Sequence, residues 1–225
     1  YGKMAAAART KSDKMLALQR QLGALSGYGR ACLDSGQTEA GTAAFETARQ
    51  VAQALLAEEA SWANVNLALG VYEALGKPEE ARQALSKVEE ATPAEARTAV
   101  FYDRLAREFG RQGLQEDALR AAAEGAKRAP DAGTRERLLR QLIVTAGELA
   151  RARAALGDEG RAQAKTLLGQ IDAAVLAAER SAAWCGDVAK VYSDCGLQAE
   201  ASALYGEALT RATTDAEKLP ALKGQ

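Results

Sequence analysis

Residues Val65–Pro93 read VNLALGVYEALGKPEEARQALSKVEEATP, and this stretch decides the fold. On one side of Gly76-Lys77-Pro78, the residues Ala68, Leu69 and Tyr72 fall at helical spacing; on the other, Ala81, Leu85 and Val88 do. Residues three and four apart stack on one face of a helix, so each run is amphipathic. Gly76 can take the left-handed backbone that ends a helix, and Pro78 suits the first turn of the next. The stretch predicts a helix–turn–helix hairpin.

The hairpin recurs. With Gly76 as anchor, the pattern repeats at Gly36, Gly113, Gly157 and Gly196, at intervals of 37 to 44 residues. Five residues after each anchor stands a small residue: Gly41, Ala81, Ala118, Ala162 and Ala201. Nine after stand Phe45, Leu85, Ala122, Thr166 and Tyr205, and four before stand Cys32, Tyr72, Phe109, Arg153 and Tyr192. Small residues let the second helix lie close to the first, and the large residue before the turn fills the space between them. One hairpin cannot bury its own apolar face, so an array at a fixed period predicts a solenoid.

The pattern resembles the tetratricopeptide repeat (TPR) family. The third hairpin carries it through Tyr102, Leu105, Ala106, Phe109, Gly113, Ala118 and Pro130. The second does so through Ala68, Leu69, Tyr72, Gly76, Ala81, Leu85 and Pro93, and the fifth through Val188, Ala189, Tyr192, Gly196, Ala201, Tyr205 and Ala208. The resemblance implies an all-α, right-handed α-solenoid of about five hairpins. Every interval exceeds the family's 34-residue unit, as expected if several helices are extended. The fourth hairpin departs most, with Arg153 for the aromatic and Thr166 and Gly169 at core positions. An irregular or hinged solenoid is expected there.

Three parts are expected: an N-terminal helix over 1–21 that caps the array or completes a half repeat, a repeat domain over 22–213, and a polar, frayed tail over 214–225. Thr92-Pro93-Ala94-Glu95 has the form of a capping box, and Ala129–Gly133 reads as the loop before the fourth hairpin. The opening Tyr-Gly suggests a piece of a longer chain, whose targeting segment would then be missing.

Composition excludes several classes. Alanine abounds while only 5% of residues are aromatic and 4 are Pro, which favours helix throughout. With 29 basic and 30 acidic residues the chain has no electrostatic footprint for nucleic acid. No apolar run approaches a membrane span. Cys32, Cys185 and Cys195 are too few for a disulfide framework and read as small buried hydrophobes in a reducing compartment, which points to the cytoplasm. His is absent, with no CxxC pair, phosphate loop or nucleophile elbow, so no metal, cofactor or catalytic residue is expected and the chain reads as non-enzymatic.

In the family, the concave face is lined by the first helix of each hairpin, notably six residues before the anchor. Here those residues are Arg30, Gly70, Arg107, Arg151 and Lys190, with Asn66, Asp103 and Arg111 nearby on the same helices. Converging bases bind carboxylates through charge-assisted hydrogen bonds. The reading is a scaffold or adaptor that holds an acidic or C-terminal peptide of a partner protein in a basic concave groove. Trp62 and Trp184 each open a first helix and read as packing between repeats. Two alternatives stand beside it: a homo-oligomer stacked through its end hairpins, motivated by the weak polar cap after Ala208, and a regulatory or sensor module of a larger protein.

Overall fold

The computed structural model describes residues 10–175 and 180–224. Among these the chain is all-helical, with no strand. Eleven α-helices follow in order: α1 (Lys11–Asp34), α2 (Thr38–Glu58), α3 (Trp62–Ala74), α4 (Pro78–Ala91), α5 (Ala99–Arg111), α6 (Gln115–Lys127), α7 (Ala132–Ala154), α8 (Asp158–Ala174), α9 (Ala182–Asp194), α10 (Gln198–Arg211) and α11 (Asp215–Gly224). They divide into two compact units. The first comprises residues through Arg97 together with Glu108–Leu114; the second comprises Thr98–Arg107 and the chain from Gln115 onward.

The anchor glycines make the turns. Gly36, Gly76, Gly113, Gly157 and Gly196 all have positive φ, between 60° and 102°. In four turns the N–H after the glycine donates to the carbonyl of the residue four before it. These bonds are Gln37 to Cys32 (2.8 Å), Lys77 to Tyr72 (2.8 Å), Leu114 to Phe109 (2.9 Å) and Leu197 to Tyr192 (2.9 Å). This is the double-bonded cap that a left-handed residue permits at a helix C-terminus.

The fourth turn is built differently. Its linker is also three residues, but glycine is the last of them, Ala155-Leu156-Gly157, instead of the middle one. Gly157 sits at φ 102°, ψ −157°, a region open essentially to glycine alone. The second helix leaves this turn in a different phase. In the other hairpins the residues five, nine and twelve after the anchor are buried, as with Ala81, Leu85 and Val88. In α8 the buried residues at this spacing are Gly160, Ala164 and Leu167, each two positions early, while Ala162, Thr166 and Gly169 are exposed. The small residue of close approach is thus Gly160, not the expected Ala162. A methyl group on Gly160 would collide with the Arg153 carbonyl.

In the first unit α1 packs on α2, and α3 on α1, α2 and α4. Gly29 and Gly41 face each other across the first hairpin, with Phe45 against Gly29 and Leu33 against Gly41. Ion pairs join Lys14 of α1 to Glu58 of α2, and Arg49 of α2 to Glu80 of α4 at 3.0 Å. In the second unit α7 packs on α6, α8 and α9, and α9 on α10. The C-terminal half of α6 meets the start of α5, where Gly125 lies against Tyr102 and the Arg128 guanidinium stacks over its ring at 4.8 Å.

Three of the junctions between hairpins share a device that the repeat pattern does not show. A side chain five residues after the end cap of one hairpin's second helix donates to that cap's carbonyl. Asn64 reaches Glu59 (2.8 Å), Arg97 reaches Thr92 (2.7 Å), and Arg180 reaches Val175 (3.4 Å) and Asp172 (2.8 Å). Each satisfies a carbonyl that the helix end leaves open. Asn64 is fully buried and also accepts from Gln19 of α1 at 2.7 Å.

Three expected boundaries move. The N-terminal helix expected over 1–21 falls partly outside the described residues. From Lys11 it runs unbroken into the first hairpin, so no boundary occurs near 21, because Gly23, Gly27 and Gly29 all keep helical backbone. Thr92 does not cap forward; its hydroxyl donates back to Val88 (2.7 Å), a short 3₁₀ turn follows at Ala94–Ala96, and α5 begins at Ala99. The expected frayed tail is α11. Thr214 and Glu217 form a reciprocal cap at its start, and the helix packs on α9 and α10, with Ala221 buried and Gly224 against the Tyr205 ring. The end of the fifth hairpin is therefore covered by the chain itself, which removes the motive for stacking through that end.

Candidate functional site

Helical spacing puts the residues six, nine and ten before each anchor on one face of each first helix. In the first unit that face opens into a cavity of about 230 Å³ between α1 and α3. Arg30, Gly27 and Gly23 line it from α1, and Gly70, Leu67 and Asn66 from α3, with Phe45 beneath. Two expected site residues, Arg30 and Asn66, are thus brought together on one cavity, and both are exposed. The glycines leave its floor low: a methyl group on Gly23, Gly27 or Gly70 would meet nothing within 4 Å.

In the second unit the equivalent space lies between α7 and α9 and holds about 310 Å³. Arg151 and Lys190 line it at the same register, so these two expected residues also converge. Val144, Glu148, Asp187 and Val191 complete its walls. The Arg151 Nε donates to Asp194 at 3.0 Å. Asp187 lies within electrostatic reach of Arg140 and Lys190. Desolvation holds the Asp187 carboxyl above the usual range, against the pull of Arg140 and Lys190. A neighbouring cavity of about 450 Å³ shares Arg140, Ile143 and Asp187 with it and continues past Leu139 to Trp184 and Glu217.

The remaining expected residues are engaged within the chain. Asp103 is nearly buried; it accepts from Arg107 at 2.9 Å and pairs with Arg137 of α7 at 3.6 Å. Arg111 pairs with Glu108 at 2.8 Å. Three of the expected basic contacts, Arg107, Arg111 and Arg151, therefore already hold carboxylates. Glu148 and Asp187 were not among the expected site residues, which centred on the position six before each anchor. Their signal was present in the sequence, three residues before Arg151 and Lys190.

A cavity of about 570 Å³ lies elsewhere, between α6 and α8. Arg153, Thr166 and Ala162 line it with Glu116, Leu119 and Glu159. These include the departures of the fourth hairpin, and the phase of α8 explains them. Arg153 is no failed aromatic: it reaches out to an ion pair with Glu116, and Thr166 faces solvent.

The cysteines are free and buried. Burial first, then the charge of Glu207, pushes the Cys185 thiol up to about 11, and burial also raises Cys195. Neither carries thiolate character at neutral pH. Among the described residues no three Cys, Asp or Glu side chains are grouped to hold a metal ion, and no helix is long and apolar enough to cross a membrane. Compared with family models and with curated proteins, the chain matches none.

Proposed function

We propose that this chain is a non-enzymatic scaffold of TPR-like build, a right-handed α-solenoid of five hairpins, that binds a peptide segment of a partner protein on the face of its first helices. One observation carries the reading. In each unit a cavity opens between successive first helices, and the residues six before the anchor line it in both: Arg30 with Gly70, and Arg151 with Lys190. A face that opens the same way in separate hairpins, while the residues at neighbouring registers build the core, is available for recognition. Exposed polar and charged side chains held on rigid helices favour a peptide over a small molecule. Lys190 and Arg30 supply charge; Asn66 supplies a neutral donor and acceptor.

The test is affinity capture from a lysate of the source organism, read by mass spectrometry. The intact chain is compared with a first-helix variant, Arg30→Glu with Lys190→Glu, and a second-helix variant, Gln163→Glu with Gln170→Glu. The expected result is a partner retained by the intact chain and the second-helix variant and lost from the first-helix variant. Equal retention by all three overturns the assignment of the face.

A further inference from the structure

Helix α1 exposes a face that other first helices bury. The face is marked by the residues twelve, eight and five before the anchor. In α3 these are Asn64, Ala68 and Val71, all fully buried. Asn64 donates to the end of α2, so this is the face turned to the preceding hairpin. In α9 they are Trp184, Val188 and Val191, and in α5 the first two are Phe101 and Leu105, all of them buried. In α7, within the irregular fourth hairpin, Ala152 is exposed. In α1 the three are Ala24, Tyr28 and Ala31, and all are exposed, Tyr28 by 58%. Among the described residues no helix precedes α1 to cover them. An array end that carries an exposed tyrosine between alanines lacks the polar outer surface of a finished cap.

The charges on this face say what fits it. Arg20 and Asp34 stand at its two ends, 14 residues or about 21 Å apart. Both are exposed, and neither has a hydrogen bond or ion pair among the described residues. The other charges of α1 are placed elsewhere: Lys14 pairs with Glu58, Asp13 is bonded to Thr10, and Arg30 lines the α1–α3 cavity. About a midpoint at Gly27 and Tyr28 the stripe is its own mirror, with Ala24 answering Ala31 and Arg20 answering Asp34. That is the requirement of a two-fold interface, in which residue i meets j and j meets i. An antiparallel second α1 lays Ala24 on Ala31 and Arg20 on Asp34, each of them twice. A parallel one would set Arg20 on Arg20 and Asp34 on Asp34. The small side chains of Ala24, Gly27 and Ala31 let the two axes come close.

We infer that α1 pairs with α1 of a second copy, antiparallel about a two-fold axis at Gly27 and Tyr28, and that the chain forms a homodimer through its first hairpin. One helix face against its twin is a small contact, so the association is a weak one.

Sedimentation of the intact chain at loadings from about 1 to 300 μM, the range a small interface calls for, tests this. The mass is expected to rise from one chain to two. Ala24→Glu with Ala31→Glu should hold it at one throughout. Arg20→Asp alone and Asp34→Arg alone should each weaken association by about tenfold, because like charges then meet at both ends of the contact. An equimolar mixture of these two single variants should recover it, since the acidic stripe of one faces the basic stripe of the other. All four sites are exposed, and far-UV circular dichroism checks that each variant keeps its helix. A single-chain mass at every loading overturns the dimer, and a mass that climbs past two chains overturns the closed pair. A dimer that survives the two glutamates, or a mixture that associates no better than its components, overturns the antiparallel α1 contact.

Discussion

Gly160 and Gly206 lie in helices of the same kind, yet a methyl group has opposite consequences at the two. At Gly160 the new carbon runs into the Arg153 carbonyl, part of the backbone of the preceding helix. Gly160→Ala is expected to cost about 1–3 kcal/mol or more, because two helices must separate to admit it. At Gly206 nothing lies within 4 Å, and Gly206→Ala is expected to stabilise by about 0.5–1 kcal/mol through helix propensity alone. Urea unfolding of the two variants against the intact chain checks both signs. The five anchors were legible as residues because a left-handed turn leaves few choices but glycine. Gly160 was not legible, since nothing local in Asp158-Glu159-Gly160-Arg161 says that its helix enters out of phase. The acids Glu148 and Asp187 escaped for a different reason: on a nearly neutral helix, an acid three residues before a base reads as a solvated pair.

At the scale of elements, the hairpins could be read from the sequence and the junctions between them could not. Hairpins leave a periodic trace. The junctions depend on single side chains reaching back to a helix end, and Asn64, Arg97 and Arg180 have no common identity by which a pattern would find them. The three are expected to differ in weight. Asn64→Ala leaves the Glu59 carbonyl and the Gln19 amide without a partner in a buried site and should cost about 1–3 kcal/mol. Arg97→Ala opens a partly exposed junction where water can take over, and should cost about 0.5–1.5 kcal/mol. Thermal unfolding of the single and double variants checks the ranking, and the two costs should add because the sites share no partner. Helix α11 was misread for a related reason. Its Thr214–Glu217 cap is a local signal, but Pro220 and the polar composition around it argued for a tail, and packing against Tyr205 overrides both.

For the whole molecule, the buried and paired groups set the pH range of stability. Lys165 holds Glu200 below its ordinary value of 4.5, and Lys127 and Arg128 do the same to Glu124. A carboxylate depressed in the folded state gives stability that is complete above that ordinary value and is lost as pH falls through the folded one. Burial acts at the other end. It pushes Tyr72 and Tyr192 up to about 12 and Cys185 up to about 11, whereas unfolded tyrosine and cysteine ionise near 10.0 and 9.0. Their contribution is complete below about pH 9 and declines as pH rises toward the folded values. Urea midpoints across the pH range should therefore form a plateau that falls at both ends. Tyr72→Phe should make the alkaline fall shallower while leaving the neutral plateau nearly in place. The misplaced glycine of the fourth turn also bears on anyone who would redesign this protein. Aligning its hairpins on their glycines and copying the prevailing residue type into each column would put a large apolar residue at Thr166, as Phe45, Leu85 and Tyr205 stand in that column. That would paint grease on a solvent-facing ridge of α8, beside an open cleft, and leave the true interior at Ala164 untouched. Consensus engineering, which strengthens most repeat arrays, would here yield a stickier protein and not a more stable one.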